Sequence, residues 1–162
     1  MTHTQVIHAY GTFMVSWSVL ESVLEVAIMK QLKISELQAA IVTSSLGFRA
    51  RSTILSSLLN LHGDEYSEAV KVLNKITQNA KRNTFVHGHI FVGEQEKLTF
   101  VKADVNQKYR AKRVTLTAVE LYLHVLEINS SVAVLQKLLA ISDDELNSFA
   151  KIGFNASTTS AE

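Results

Sequence analysis

Apolar residues recur at helical spacing along most of this chain. From Val6 to about Lys30 they fall at Val6, Tyr10, Phe13, Trp17, Leu20, Leu24, Ala27 and Ile28, one face of a long amphipathic helix. Glu21 and Glu25 stand one turn apart beside that stripe and read as a solvated flank. Ser35 and Gln38 have the capping-box spacing and open a second helix through Leu37, Ala40 and Ile41. The hydroxyl residues and glycine of Thr43-Ser44-Ser45-Leu46-Gly47 predict a break. A shorter helix follows from about Phe48 to Leu61, with Ile54, Leu55, Leu58 and Leu59 inward and His62-Gly63 as its C-cap. Arg49 and Arg51 read as surface residues.

Asp64 is then the expected N-cap of a helix whose apolar stripe runs Tyr66, Ala69, Val70, Leu73, Ile76 and Ala80. The same spacing extends to Asn83 and His87, so two polar residues continue a row where an apolar pair belongs. Two β-rich runs, His89-Ile90-Phe91-Val92 and Lys97 to Lys102, flank Gly93-Glu94-Gln95-Glu96 and predict a hairpin at about 89–103. Thr117 and Glu120 form another capping box, opening a helix through Leu121, Val125, Ile128, Val132, Leu135, Leu138 and Leu139. Ser142-Asp143-Asp144-Glu145 starts one more, short helix. The pattern predicts an all-α fold, an up-and-down helical bundle of four to five main helices with a short β-hairpin inserted after the third long helix. Residues 1–153 make a single helical domain and 154–162 a flexible C-terminal tail.

Composition narrows the chemistry. The 162 residues contain no proline, which suits long helices, and no cysteine, which removes disulfides, thiolate metal sites and cysteine nucleophiles. A 47% hydrophobic and 19% charged chain is expected to be a soluble globular protein. The N-terminus lacks a signal-peptide layout, and no uninterrupted apolar run approaches the ~20 residues that span a bilayer. The expected location is therefore cytoplasmic, without a membrane partner. A net charge of +1 gives no global attraction to nucleic acid, so any such binding needs a local patch. Lys102, Lys108, Arg110, Lys112 and Arg113 against Asp104 supply one, read as a basic loop.

The chemistry concentrates in Lys81-Arg82-Asn83-Thr84-Phe85-Val86-His87-Gly88. In helical geometry Asn83 and His87 project within ~40° of each other, whereas Arg82 and His87 diverge by roughly 140°. A bend or a second copy of the helix is needed to aim Arg82 and His87 at one phosphate. A histidine with its ordinary pKa of ~6.5 suits acid–base catalysis near neutral pH, and a permanently charged arginine suits a phosphate. Lys81, Lys108, Arg110, Lys112 and Arg113 are the candidate phosphate contacts beside it.

The spacing Arg82-Asn83-x-x-x-His87, followed by Gly88 on the third long helix, resembles the HEPN superfamily. That resemblance covers the layout from about Val6 to Leu139 and makes 1–153 a HEPN-like domain. It implies a metal-independent endoribonuclease, a toxin or defence-system enzyme, acting as a homodimer without a cofactor. Two motifs would face each other in one basic cleft. Arg82, Asn83 and His87 would be catalytic: His87 as general base or acid, Arg82 stabilising phosphate charge and Asn83 positioning its partners. Lys81, Lys108, Arg110, Lys112 and Arg113 would then be RNA contacts. It also admits an antitoxin or nucleotidyltransferase partner; His89 stands where some members carry the tyrosine that such a partner modifies. The alternative is a non-catalytic HEPN-like dimer that binds RNA or regulates a protein. His87 and His89 are a weaker alternative as a metal pair, since alternate strand residues point the same way but no third ligand is evident.

Overall fold

The structure, a computed structural model, describes residues 3–79, 85, 88–92, 97–106 and 108–158. It is mostly helical with one small antiparallel sheet. In chain order the elements are α1 (His3–Leu32), α2 (Glu36–Ser44), α3 (Phe48–Asn60), a 3-10 turn (Gly63–Tyr66), α4 (Ser67–Asn79), β1 (His89–Val92), β2 (Lys97–Asn106), β3 (Lys108–Thr117), α5 (Ala118–Leu138) and α6 (Asp143–Thr158). The chain divides into two compact units, one of Met1–Trp17 with Gln78–Asn129, the other of Ser18–Thr77 with Ser130–Glu162.

In the first unit the strands form a meander in the order β1-β2-β3. β1 pairs with β2 from His89↔Val101 to Val92↔Leu98. β2 pairs with β3 along its whole length, from Lys97↔Thr117 to Asn106↔Lys108. The sheet thus has a third strand where a basic loop was expected between Lys102 and Arg113. Lys108, Arg110 and Lys112 alternate with Tyr109 and Ala111, which is the period-two pattern of a strand. The count of charges obscured that alternation. Leu98, Phe100 and Leu116 on the sheet are buried with Val6, Ala9 and Phe13 of α1 and Leu121 and Val125 of α5.

The second unit is helical. Ser35 accepts from the Gln38 amide at 3.3 Å while Gln38 Oε1 accepts from the Ser35 amide at 2.9 Å, so the predicted capping box is complete. The break at Gly47 also stands, with Gly47 as N-cap of α3. Asp64 does not cap α4. Gly63 adopts φ +65°, in the left-handed region that glycine enters without penalty, and turns the chain into the 3-10 segment before α4 begins at Ser67. The fourth helical start is longer than expected: α6 runs through residues 154 to 158 of the expected tail. Its N-terminus is a reciprocal box in which Ser142 N donates to Glu145 Oε2 at 2.7 Å and Glu145 N to Ser142 Oγ at 3.2 Å. Lys30 ties α1 to this corner by donating to Glu145 Oε1 at 2.9 Å and to the Ala140 carbonyl.

Glu21, Glu25 and Arg51 depart most from expectation. The Arg51 guanidinium lies 3.1 Å from Glu25 Oε1 and 3.7 Å from Glu21 Oε2, and its side chain is only 11% exposed. It also donates twice to the Thr43 carbonyl, at 3.1 and 3.3 Å. Thr43 Oγ1 donates to Glu25 at 3.2 Å and to the Ala39 carbonyl at 2.9 Å. A helix C-terminus favours a cation. The Thr43 carbonyl already accepts from the Leu46 amide at 2.9 Å, and Arg51 adds its charge there while neutralising carboxylates on α1. Its register was legible: Arg51, Leu55 and Leu59 recur every four residues on α3, and all three are buried.

By length and composition alone, α1 over Thr4–Leu32 and α5 are long and apolar enough to cross a bilayer. Half of the α1 window is buried inside the protein.

Removing the guanidinium takes the cation away from two partly buried carboxylates, while the Thr43 carbonyl keeps the Leu46 amide at 2.9 Å. Arg51→Ala is therefore expected to destabilise by about 3–5 kcal/mol in denaturant titration, with Arg51→Ala/Glu21→Gln/Glu25→Gln recovering part of the loss. Hydrogen bonds from Lys30 and from the Ser142 amide hold the Glu145 carboxyl below its usual range near 4.5. Its folded pKa is depressed, so its contribution is full above the unfolded value and is lost as pH falls through the folded one. Thermal melts between pH 6 and pH 3 should show a smaller acid-induced fall in Tm for Glu145→Gln than for the wild type.

Candidate functional site

Phe85, within the candidate segment, belongs to the first unit. Its ring is fully buried. It meets Phe13 edge-on at 5.2 Å between centroids, Phe100 at 4.9 Å and His124 at 5.6 Å. Tyr10 packs on Phe100 at 5.8 Å and Phe13 on Trp17 at 6.1 Å, which extends the aromatic cluster along α1. Each such pair is worth about 0.5–1.5 kcal/mol beyond the area it buries.

The backbone is held as firmly as the ring. Phe85 is helical, and His89, four residues on, is already in β1. The Tyr10 hydroxyl donates to the Phe85 carbonyl at 3.1 Å across 75 positions of sequence. Burial raises the Tyr10 pKa above its ordinary value.

Lys81, Arg82, Asn83 and His87, and with them the polar row expected at Asn83 and His87, lie outside the described residues. Gly88 sits in a bend that leads into β1. His89 is exposed at the first position of β1, opposite Val101. Among the described residues, no three His, Asp or Glu side chains gather as a metal site requires.

Lys108, Arg110 and Lys112 occupy alternate positions of β3, and an exposed Arg113 takes the next position, on the other face of the strand. The fold brings His124 of α5 to the Phe85 ring. One turn before it on α5, Glu120 accepts from the Thr117 amide at 2.7 Å and from its hydroxyl at 2.9 Å, which completes the predicted box with Glu120 N donating to Thr117 Oγ1 at 3.2 Å. These bonds lower the Glu120 pKa, with smaller contributions from Lys97 and His124. His8 of α1 lies 6.5 Å from Tyr122 on the same helix as His124. Phe85 itself could have been found as the one aromatic residue inside the motif.

No protein-family model, no curated protein and no solved structure matches this chain. The likeness to HEPN proteins rests on the motif and on the order of helices around it.

Phe85→Ala is expected to cost about 3–5 kcal/mol in chemical denaturation, the range for emptying a fully buried phenylalanine site. Tyr10→Phe keeps the ring and removes only the hydroxyl, so about 1–3 kcal/mol is expected from taking that donor from the carbonyl. Equal costs for the two variants would contradict the division of roles between ring and hydroxyl.

Proposed function

We propose that this chain is a metal-independent endoribonuclease of HEPN type, a toxin or defence enzyme whose active site is shared by two copies. On this reading residues 1–153 form one HEPN-like helical domain, an up-and-down bundle with its sheet inserted after the third long helix. The observation that carries the reading is Arg82-Asn83-x-x-x-His87 built around Phe85, which is buried and bonded through its own carbonyl.

The chemistry follows from the residue types. His87 takes the proton of the RNA 2′-hydroxyl as that oxygen attacks the adjacent phosphorus. The bond from phosphorus to the 5′-oxygen breaks, and the leaving oxygen is protonated by the second copy's His87 or by the same ring in a later step. Arg82 neutralises charge on the phosphate oxygens through a planar donor set. Asn83 fixes the orientation of these partners. Attack by the 2′-hydroxyl confines the substrate to RNA.

A second reading, a non-catalytic dimer that binds RNA or regulates a protein partner, draws on the exposed apolar residues of α5. Val119 is 51%, Leu123 60% and Leu126 63% exposed at successive four- and three-residue steps. Such a stripe is the seam along which helices pair. An antitoxin or nucleotidyltransferase partner fits either reading.

Purified protein incubated with RNA in EDTA separates the two. Cleavage is expected, with a fall of about 10²–10⁴-fold in His87→Ala that remains folded and dimeric. Wild-type protein that cleaves no RNA, or that cleaves only with a divalent ion, would overturn the proposed mechanism.

A further inference from the structure

Beyond Val101 the strand β2 leaves its pairing with β1 and continues with β3 alone, so residues 102–106 and 108–112 form a two-stranded ribbon. Directly paired residues of an antiparallel ladder share a face, and so do alternate residues of a strand. The register therefore collects Lys102, Asp104, Asn106, Lys108, Arg110 and Lys112 at positions of one face. The same face nearer the base of the ribbon holds the core positions Leu98, Phe100 and Leu116. The face thus changes from apolar to cationic along a single ladder.

Two features set this stripe apart from an ordinary solvated surface. Lys102 is paired directly with Lys112, and like charges opposite each other on a ladder are destabilising. In register, Arg110 stands opposite an acidic residue, Asp104, and Lys108 opposite Asn106. On β3 the cations recur at every second residue, a step of about 6.6 Å. That step is close to the separation of successive phosphates along an extended nucleic-acid strand. An external row of phosphates would relieve the repulsion that the ladder itself leaves in place.

We infer that the β2–β3 ribbon is an arm that binds the phosphate backbone of single-stranded RNA, with Lys108, Arg110 and Lys112 as successive contacts and Lys102 beside them. The inference deepens the ribonuclease reading and rests on it for the choice of RNA. The deep, narrow major groove of an A-form duplex does not admit a ribbon, so a single strand is the form that fits. Arg113 takes a position on the opposite face and stands outside this row.

The test uses the full-length His87→Ala protein, so that substrate stays intact, and fluorescence anisotropy of a labelled single-stranded RNA 20-mer across a salt series. Lys108→Gln/Arg110→Gln/Lys112→Gln is compared with Lys75→Gln/Lys137→Gln/Lys151→Gln, which removes the same charge from exposed lysines elsewhere. Circular dichroism and thermal melting establish that both variants fold. The ribbon variant should bind at least roughly tenfold more weakly at 0.1 M salt, and its slope of log K against log salt should be shallower by about 2, the value for three phosphate contacts on a single strand. The control should bind as its parent does. Equal weakening in both variants would overturn the inference, as would tighter binding to duplex RNA or binding to anionic phosphatidylserine vesicles with none to RNA. Parallel cleavage by the otherwise wild-type protein keeps the two claims apart. Cleavage with unchanged binding in the ribbon variant removes the arm and leaves the enzyme, whereas selective loss of binding without any wild-type cleavage leaves the arm and removes the enzyme.

Discussion

The candidate site depends on one long-range contact, the Tyr10 hydroxyl donating to the Phe85 carbonyl above a buried aromatic cluster. The donor comes from α1, 75 positions earlier in the chain. Burial raises the pKa of that phenol above its ordinary value. Phe85 is thus held at once by its ring and by its carbonyl.

The second unit is anchored by charge. Arg51 closes the end of α2 and neutralises two glutamates of α1, and Thr43 links the two functions. Buried ion pairs of this kind are costly to assemble and costlier to break, which makes them weak sources of net stability and strong determinants of which helix ends meet. The aromatic anchor and the ionic anchor thus use different physics for one purpose: joining segments distant in sequence.

Helices and their starts were legible in the sequence because they depend on local signals. The α1 stripe from Val6 to Ile28 is buried except for the half-exposed Tyr10, and the boxes at Ser35 and Thr117 close as their spacing requires. What escaped depends on partners distant in sequence. Glu21, Glu25 and Arg51 look like surface charges one at a time, and only the crossing of α1 with the α2–α3 corner makes them a network. Lys102 to Arg113 was read by its charge, although its alternation is that of a strand. Of the candidate site, the motif was legible as residue types, whereas its anchor was not, because the partner of Phe85 is fixed by tertiary contact. His124 joined that cluster for the same reason.

In the proposed reaction an RNA 2′-hydroxyl, not water, attacks the phosphorus. Mass spectrometry of the ends made from a defined RNA in EDTA distinguishes the two nucleophiles. Attack by the 2′-hydroxyl leaves a 2′,3′-cyclic phosphate, or the 3′-phosphate from its opening, on one fragment and a 5′-hydroxyl on the other. A single 2′-deoxy residue at the cleavage position should abolish the cut there. Fragments bearing a 5′-phosphate and a 3′-hydroxyl, or cleavage that persists at the 2′-deoxy position, would contradict it.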